Sequence, residues 1–154
     1  EVAMVIGKKG KNITEEKAQD HVFGYCIVND ISERSWQKER GGQWIKGNSI
    51  AGPCGPYLVT KDEIEDVHNI NLTLDVNGKR RQTGNTGRMI FNFNFLISHI
   101  SQFMTLYPGT IITTGTPAGT AMEMSVPKFL IANDKLNLKV DYLGEQNQVV
   151  IDES

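Results

Sequence analysis

Two carboxylates sit where apolar runs meet turns. Glu1 heads the run Val2–Ile6, and Asp30 follows the run Tyr25–Val28. Hard oxygen ligands of this kind suit Mg²⁺, Mn²⁺ or Ca²⁺ and not Zn²⁺. Taken singly, each acid is equally an ordinary cap or surface charge. Arg34 and Gln37 lie three apart just after Asp30, so on a helix they share a face. A guanidinium fork beside an amide suits a substrate carboxylate, and it is also an ordinary surface pair. Lys46, in a polar and Gly-rich stretch, can supply positive charge to a developing oxyanion, although a solvated lysine is the commoner outcome. The loop Thr114-Gly115-Thr116-Pro117-Ala118-Gly119 offers two hydroxyls and glycine-flanked N–H groups to an anion. His21, His68 and His99 are poor catalytic candidates, and no Ser or Cys has a base at a spacing that marks a covalent triad.

These residues need elements to position them. Val2–Ile6 reads as a buried strand ending at Gly7. The loop Gly7–Asn12 is rich in Gly and Lys but lacks the G-x-x-x-x-G-K-[ST] spacing of a phosphate loop. Thr14 is a suitable N-cap, with Glu15 and Glu16 in the first turn, for a helix running to about Val22. Tyr25–Val28 is a short strand that delivers Asn29 and Asp30. Ser32–Glu39 reads as a helix start, and Tyr57–Thr60 as a strand after the rigid turn Gly52–Pro56. Ile70, Leu72, Leu74 and Val76 alternate with polar residues and run into Asn77-Gly78, which predicts a type I′ hairpin with its return strand at Lys79–Thr83. Lys79-Arg80-Arg81 is the one dense basic run and reads as a solvated hairpin tip. Met89, Ile90, Phe93, Leu96, Ile97, Ile100, Phe103 and Met104 fall at helical spacing, so this stripe is expected to be core. Ile111–Thr113 is a strand. Leu136, Leu138, Val140 and Tyr142 alternate, and after Gly144 the strand Val149–Ile151 closes a second hairpin. The pattern is an α+β class dominated by strands, with two helices.

Composition sets the limits. The 154 residues fit one domain. Hydrophobic residues make up 39%, which rises to about 49% with the 15 glycines added, ordinary for a globular core. A net charge of −2 gives no electrostatic footprint for nucleic acid or anionic lipid. No stretch of about 18 apolar residues is present, so no membrane-spanning helix is expected. Cys26 and Cys54 form neither a disulfide framework nor a paired metal spacing, which fits a reducing, cytoplasmic setting.

Together these segments resemble the fumarylacetoacetate hydrolase family, in order and over almost the whole chain. Glu1-Val-Ala-Met-Val-Ile-Gly7 resembles the strand that carries an E-x-E metal pair. Gly24-Tyr-Cys-Ile-Val-Asn-Asp30-Ile-Ser-Glu-Arg34 is similar to the G-Y-x-x-x-N-D-[VI]-[ST]-x-R signature, with Gln37 at the family spacing. Lys46-Gly47 and Gly52-Pro-Cys-Gly-Pro56 resemble K-x-x-D-x-x-x-P-x-G-P. Val76-Asn77-Gly78, Gln82, Gly84, Thr86 and Met89-Ile90-Phe91 resemble V-N-G-x-x-x-Q-x-G-x-T-x-x-M-I-F. Thr114–Gly119 is similar to the T-G-T-P-x-G loop, and Pro127–Leu130, Asp134 and Leu143-Gly144 to the family tail. Single motifs of this kind are weak, whereas six in register are specific.

The resemblance implies a β-rich, mixed-sheet sandwich roll with two short helices. It implies Mg²⁺ or Mn²⁺, with Ca²⁺ as a substitute, held by three carboxylates. Asp30 is one, and Glu1 matches the second Glu of the E-x-E pair, whose members share a strand face. The first Glu is expected two residues upstream, on a segment outside this chain, so the domain is expected to be N-terminally incomplete. The implied substrate is an acylpyruvate-type 2,4-dioxo acid. The implied reaction is metal-dependent C–C hydrolysis through a stabilised enolate. Arg34 and Gln37 would orient the substrate carboxylate, Lys46 would stabilise the oxyanion or enolate, and Thr116 would donate to the substrate. Relatives activate water with a His/Glu pair on an N-terminal lid, which none of the three histidines here matches. Ser35, Ser49 and Ala51 depart from the Asp, Asp and aromatic residue common at those positions. Relatives of the same fold isomerise or decarboxylate oxo acids or cleave ureidoglycolate, and a non-catalytic metal- or oxo-acid-binding protein is the alternative of another class. A homodimer is expected, with neither nucleic acid nor membrane as partner.

Overall fold

The computed structural model describes residues 1–39 and 52–152. Eight strands and two α-helices are found among them. The strands are β1 (Val2–Ile6), β2 (Val22–Ile27), β3 (Val59–Thr60), β4 (Asn71–Val76), β5 (Lys79–Asn85), β6 (Ile111–Thr113), β7 (Lys135–Val140) and β8 (Gly144–Val149), and the helices are α1 (Arg34–Glu39) and α2 (Phe93–Phe103). One sheet has the order β3-β2-β1-β6 and the other β5-β4-β7-β8. The α+β class and the two short helices are as expected, but the strand pairings are all antiparallel rather than mixed.

The two sheets position the site through β1 and β2. Strand β1 is apolar at every residue because both of its faces are covered. Val2, Met4 and Ile6 join the main core with Tyr25, Ile27, Leu136 and Leu138. Ala3 and Val5 point the other way, into a smaller cluster with Cys26 and Val28. The β1–β2 ladder extends one residue further, since the Glu1 nitrogen donates to the Val28 carbonyl at 2.8 Å and Val28 N–H donates to the Glu1 carbonyl at 3.0 Å. Glu1 and Asp30 therefore emerge at the same end of one sheet.

The Asn77-Gly78 turn has φ of 51° and 72°, the positive pair that a type I′ hairpin requires. The Asn77 side chain fixes it further, donating to Asp134 at 2.7 Å and accepting from Lys135 N–H at 2.9 Å.

Three expectations are corrected. Glu15–His21 is a 3₁₀ segment, not an α-helix, and Thr14 makes no side-chain cap. Only Ala18 on it is buried, so no apolar stripe supports a longer helix, and seven residues are too few to be stable alone. It is held instead by tertiary bonds: Gly7 N–H donates to the His21 carbonyl at 2.8 Å, and Tyr25 Oη donates to Gln19 at 2.8 Å.

The stripe from Met89 to Met104 is not all core. The Asn92 side chain caps α2 by accepting from Phe95 N–H at 2.8 Å, so the helix starts after Met89 and Ile90. Phe93 and Ile97 are buried, with Leu96 and Ile100 packed against the core, whereas Ile90 is 92% and Phe103 74% exposed. Phe91, Phe95 and His99 instead stack along the outer face at four-residue spacing, and His99 meets Phe103 edge to face.

In the last hairpin Leu136, Leu138 and Val140 are buried as expected, but Tyr142 lies in the turn with φ of 64°. Strand β8 is the polar stretch Gly144–Val149 rather than Val149–Ile151. The ladder to β7 satisfies its backbone whatever its side chains are, and Gln146 is buried with its amide donating to the Gly55 carbonyl at 2.6 Å.

Cys26 and Cys54 face each other, Sγ to Sγ, at 3.4 Å. Cys26 is buried and Cys54 exposed, and burial, the largest cause, pushes the Cys26 thiol up to about 12. Since the thiolate is the reactive form, iodoacetamide at pH 8 should modify Cys54 and spare Cys26 in the native protein, as read by peptide mapping. Equal labelling of both would contradict this packing.

Candidate functional site

Glu1, Asp30, Arg34 and Thr116 line one cavity of about 870 Å³. Each arrives on a different element: Glu1 at the head of β1, Asp30 in the turn after β2, Arg34 at the start of α1, and Thr116 in the loop after β6. The floor is apolar, with Leu74 from β4 and Leu136 and Leu138 from β7.

The T-G-T-P loop is folded onto the start of β1. Thr114 Oγ1 donates to the Val2 carbonyl at 2.6 Å. Gly115 N–H donates to Glu1 Oε2 at 2.8 Å, and Thr116 Oγ1 donates to Glu1 Oε1 at 2.7 Å. Each Glu1 oxygen thus accepts one hydrogen bond from this loop, and a carboxylate oxygen has a second lone pair to offer. From the other sheet, Gln82 Nε2 donates to the Pro117 carbonyl at 2.7 Å. The loop that the sequence suggests for an anion serves in this structure to hold a carboxylate.

Two carboxylates that share one cavity form the donor set that hard, oxygen-seeking dications prefer. Glu1 and Asp30 therefore fit Mg²⁺ or Mn²⁺. Among the described residues no third His, Cys, Asp or Glu completes a cluster with them.

Helix α1 brings Arg34 and Gln37 onto one face, and Arg34 Nη1 donates to Gln37 Oε1 at 2.6 Å. Arg34 lines the cavity; Gln37 does not. The Glu33 carboxylate caps the start of this helix, accepting from Ser35 N–H at 2.9 Å. Lys46, with Ser49 and Ala51, lies outside the described residues. None of the histidines lines the cavity: His21 Nδ1 lies 2.9 Å from the Lys8 carbonyl, His68 lies against Phe93, and His99 lies between Phe95 and Phe103.

The family profile described as "Fumarylacetoacetate (FAA) hydrolase C-terminal" matches residues 1–151. The chain belongs to the fumarylacetoacetate hydrolase family. A Burkholderia cenocepacia relative named "Putative hydrolase" is 50% identical over 151 residues, covering 96% of this chain and 54% of the relative. The chain thus spans about half the length of the curated relatives it matches. The fumarylacetoacetate hydrolase of Exiguobacterium antarcticum superposes with a TM-score of 0.92 at 37% identity, over 99% of this chain and 55% of that one. Maleylpyruvate hydrolase of Sphingobium sp. SYK-6, solved with manganese(II) and pyruvate, superposes with a TM-score of 0.87 at 30% identity, over 100% of this chain and 53% of that one. No helix among the described residues is long and apolar enough to cross a membrane.

Nothing in the sequence marks Arg81. Lys79-Arg80-Arg81 reads as a solvated hairpin tip, and that holds for Arg80, which pairs with Asp75. The β4–β5 ladder slips by one residue here, Leu74 pairing with Gln82 and Asp75 with Arg80, so that Arg81 is the extra residue of a β-bulge. Arg81 is half-buried and lines the cavity. The family motif leaves this position as x, so the resemblance gave no signal either.

Proposed function

We propose that the protein is a divalent-metal-dependent hydrolase of acylpyruvate-type 2,4-dioxo acids, and that this chain is its metal- and substrate-binding part. The observation that carries the reading is the convergence of Glu1, Asp30 and Arg34 on one cavity. The family membership supports it, as does the relative solved with manganese(II) and pyruvate, the fragment such a cleavage releases. The reaction adds water across the C–C bond, giving a carboxylic acid and pyruvate.

Glu1 and Asp30 would hold the cation, which when bound supplies Lewis-acid polarisation of the 2-oxo-carboxylate. Gly115 N–H and Thr116 keep the Glu1 carboxylate at fixed orientation, so no reorganisation is needed when substrate arrives. Arg34, braced by Gln37, presents its remaining N–H donors to the substrate carboxylate. The apolar floor keeps water from the reacting chain and strengthens these charged contacts. Lys46 is the proposed stabiliser of developing negative oxygen charge, and the same reading carries a cytoplasmic homodimer.

The test is a panel on the full-length protein with Mg²⁺, Mn²⁺ or EDTA: acylpyruvates, oxaloacetate, a hydroxymuconate-type diene and ureidoglycolate. Pyruvate release from acylpyruvates should dominate and should stop in EDTA. Preferred isomerisation of the diene, preferred loss of CO₂ from oxaloacetate, or full turnover in EDTA would overturn the reading.

A further inference from the structure

The chain's two cysteines lie far apart in sequence and touch in the fold. Val28 pairs with Cys54 in an isolated antiparallel bridge. Two backbone bonds flank it: Gly55 N–H donates to the Ile27 carbonyl at 2.9 Å, and Asn29 N–H donates to the Pro53 carbonyl at 3.0 Å. The Gln146 amide holds the same turn through the Gly55 carbonyl. Side chains on a strand alternate, so Cys26 shares the face of Val28, and both belong to the small cluster with Ala3 and Val5. Cys54 reaches that face from the turn, which puts the two Sγ atoms 3.4 Å apart.

As a hydrogen bond this contact returns little, because a thiol is a weak donor and a weak acceptor. As chemistry it has a clear division of labour. Exposed Cys54 meets reagents from solvent, whereas buried Cys26 meets Cys54. An accessible thiol poised beside a second one is the arrangement on which oxidants act reversibly. An S–S bond of about 2.05 Å needs the sulfurs to close by about 1.4 Å, a distance that rotation of the exposed Cys54 side chain covers. Both cysteines fall on positions that the family motifs leave open, so the pair is no part of the family signature. The residues between them, 27–53, carry Asp30, Arg34, Gln37 and Lys46.

The geometry points to Cys26 and Cys54 as a redox pair that hydrogen peroxide closes into a reversible disulfide, clamping together the two ends of the segment that bears those four residues. The Cys54 thiolate attacks one peroxide oxygen. An S–O bond forms, the O–O bond breaks, and the other oxygen leaves as water with the proton that the thiol gave up. The Cys26 sulfur then attacks the sulfur of the Cys54 sulfenic acid. An S–S bond forms, the S–O bond breaks, and the Cys26 proton leaves with the hydroxyl as a second water. Two thiols are oxidised and one peroxide is reduced. Burial, and after it the neighbouring Cys54, pushes the Cys26 thiol up to about 12. The second of these causes falls away once Cys54 is a neutral sulfenic acid, and the contact makes the closing step intramolecular. A thiol reductant reverses the reaction by exchange. The cross-link removes conformational freedom from the opened segment and so favours its closed form.

The test treats the full-length protein with hydrogen peroxide. Non-reducing peptide mapping should find Cys26 joined to Cys54, and dithiothreitol should return both thiols. The oxidised protein should melt roughly 4–16 °C above the reduced one. In Cys26→Ala, Cys54 should stop at a sulfenic acid that dimedone traps, and peroxide should no longer raise the melting temperature. In Cys54→Ala, Cys26 should stay reduced. Sulfinic or sulfonic acid at Cys54 of the parent without the cross-link, a disulfide that joins two chains through Cys54, or oxidation of Cys26 in Cys54→Ala overturns the pair. A cross-link that leaves the melting temperature where it was overturns the clamp. The cross-link and the melting shift are read on the parent protein, so they decide the matter even where a variant fails to fold.

Discussion

Asp30→Ala is expected to abolish metal-dependent turnover while leaving the fold in place. Removing one of the carboxylates that fit the cation takes away both a ligand and a negative charge. Changes even to the groups that orient metal ligands cost about 10–100-fold in affinity or activity. Loss of a ligand itself should weaken Mn²⁺ binding on the order of 100-fold and lower kcat/KM by about three powers of ten, roughly 4 kcal/mol of transition-state stabilisation. The backbone around Asp30 has anchors of its own. Asn29 N–H donates to the Pro53 carbonyl at 3.0 Å, and Ile31 N–H donates to the Asn29 carbonyl at 2.9 Å. The Asn29 amide is anchored separately on Gln148 at 2.7 Å. Melting should therefore shift little. Asp30→Asn keeps an oxygen ligand without the charge, so it should fall between the parent and the alanine variant. Calorimetric Mn²⁺ titration and a pyruvate-release assay read the two effects separately. Turnover in Asp30→Ala comparable with the parent, or insensitive to EDTA, would remove Asp30 from the reaction.

What can be read ahead in such a chain follows from how far each signal reaches. The apolar run Val2–Ile6 is legible because both faces of β1 are buried. Asn77-Gly78 is legible because a positive φ at two successive residues restricts the residue types that fit. The Arg34–Gln37 contact at 2.6 Å is legible because three-residue spacing on a helix makes neighbours. Each depends on a few adjacent residues. The rest depends on partners distant in sequence. Phase along α2 is set by the Asn92 cap, so a stripe that counts from Met89 takes in Ile90, which belongs to no helix. The 3₁₀ segment is set by bonds from Gly7 and Tyr25. The bulge at Arg81 belongs to the pairing of two strands, and nothing in Lys79-Arg80-Arg81 says which arginine takes Asp75. The convergence of Glu1 and Asp30 came from the resemblance, since neither acid is distinctive alone. The structure supplies the reason they meet, which is the extension of the β1–β2 ladder to Glu1 and Val28.

Gly119→Ala is expected to be the most damaging single methyl in the described structure. Gly119 closes the T-G-T-P loop over the bulge, and a Cβ there would lie 2.1 Å from the Arg81 carbonyl oxygen and 3.0 Å from its carbon. Both are backbone atoms within the β4–β5 ladder, so relief means moving the loop or opening the bulge. The residue also has φ of 109°, a conformation that costs an L-residue about 1–3 kcal/mol. Overpacking adds about 1–3 kcal/mol. The sum, about 2–6 kcal/mol, should lower the melting temperature by roughly 4–24 °C in a domain of this size. Gly109→Ala separates the two causes. Gly109 has φ of 87° but nothing within 4 Å of its would-be Cβ, so it bears the conformational cost alone and should fall less far. The difference between the two variants isolates the close approach of loop to bulge. Gly119→Ala should also reach the site, because displacing the loop at Gly115 and Thr116 releases the Glu1 carboxylate from these two donors. Mn²⁺ affinity should drop in Gly119→Ala and stay at the parent value in Gly109→Ala. Equal melting temperatures for the two glycine variants would show that the loop yields without strain, and that the T-G-T-P loop, the bulge and the carboxylate it holds are not linked.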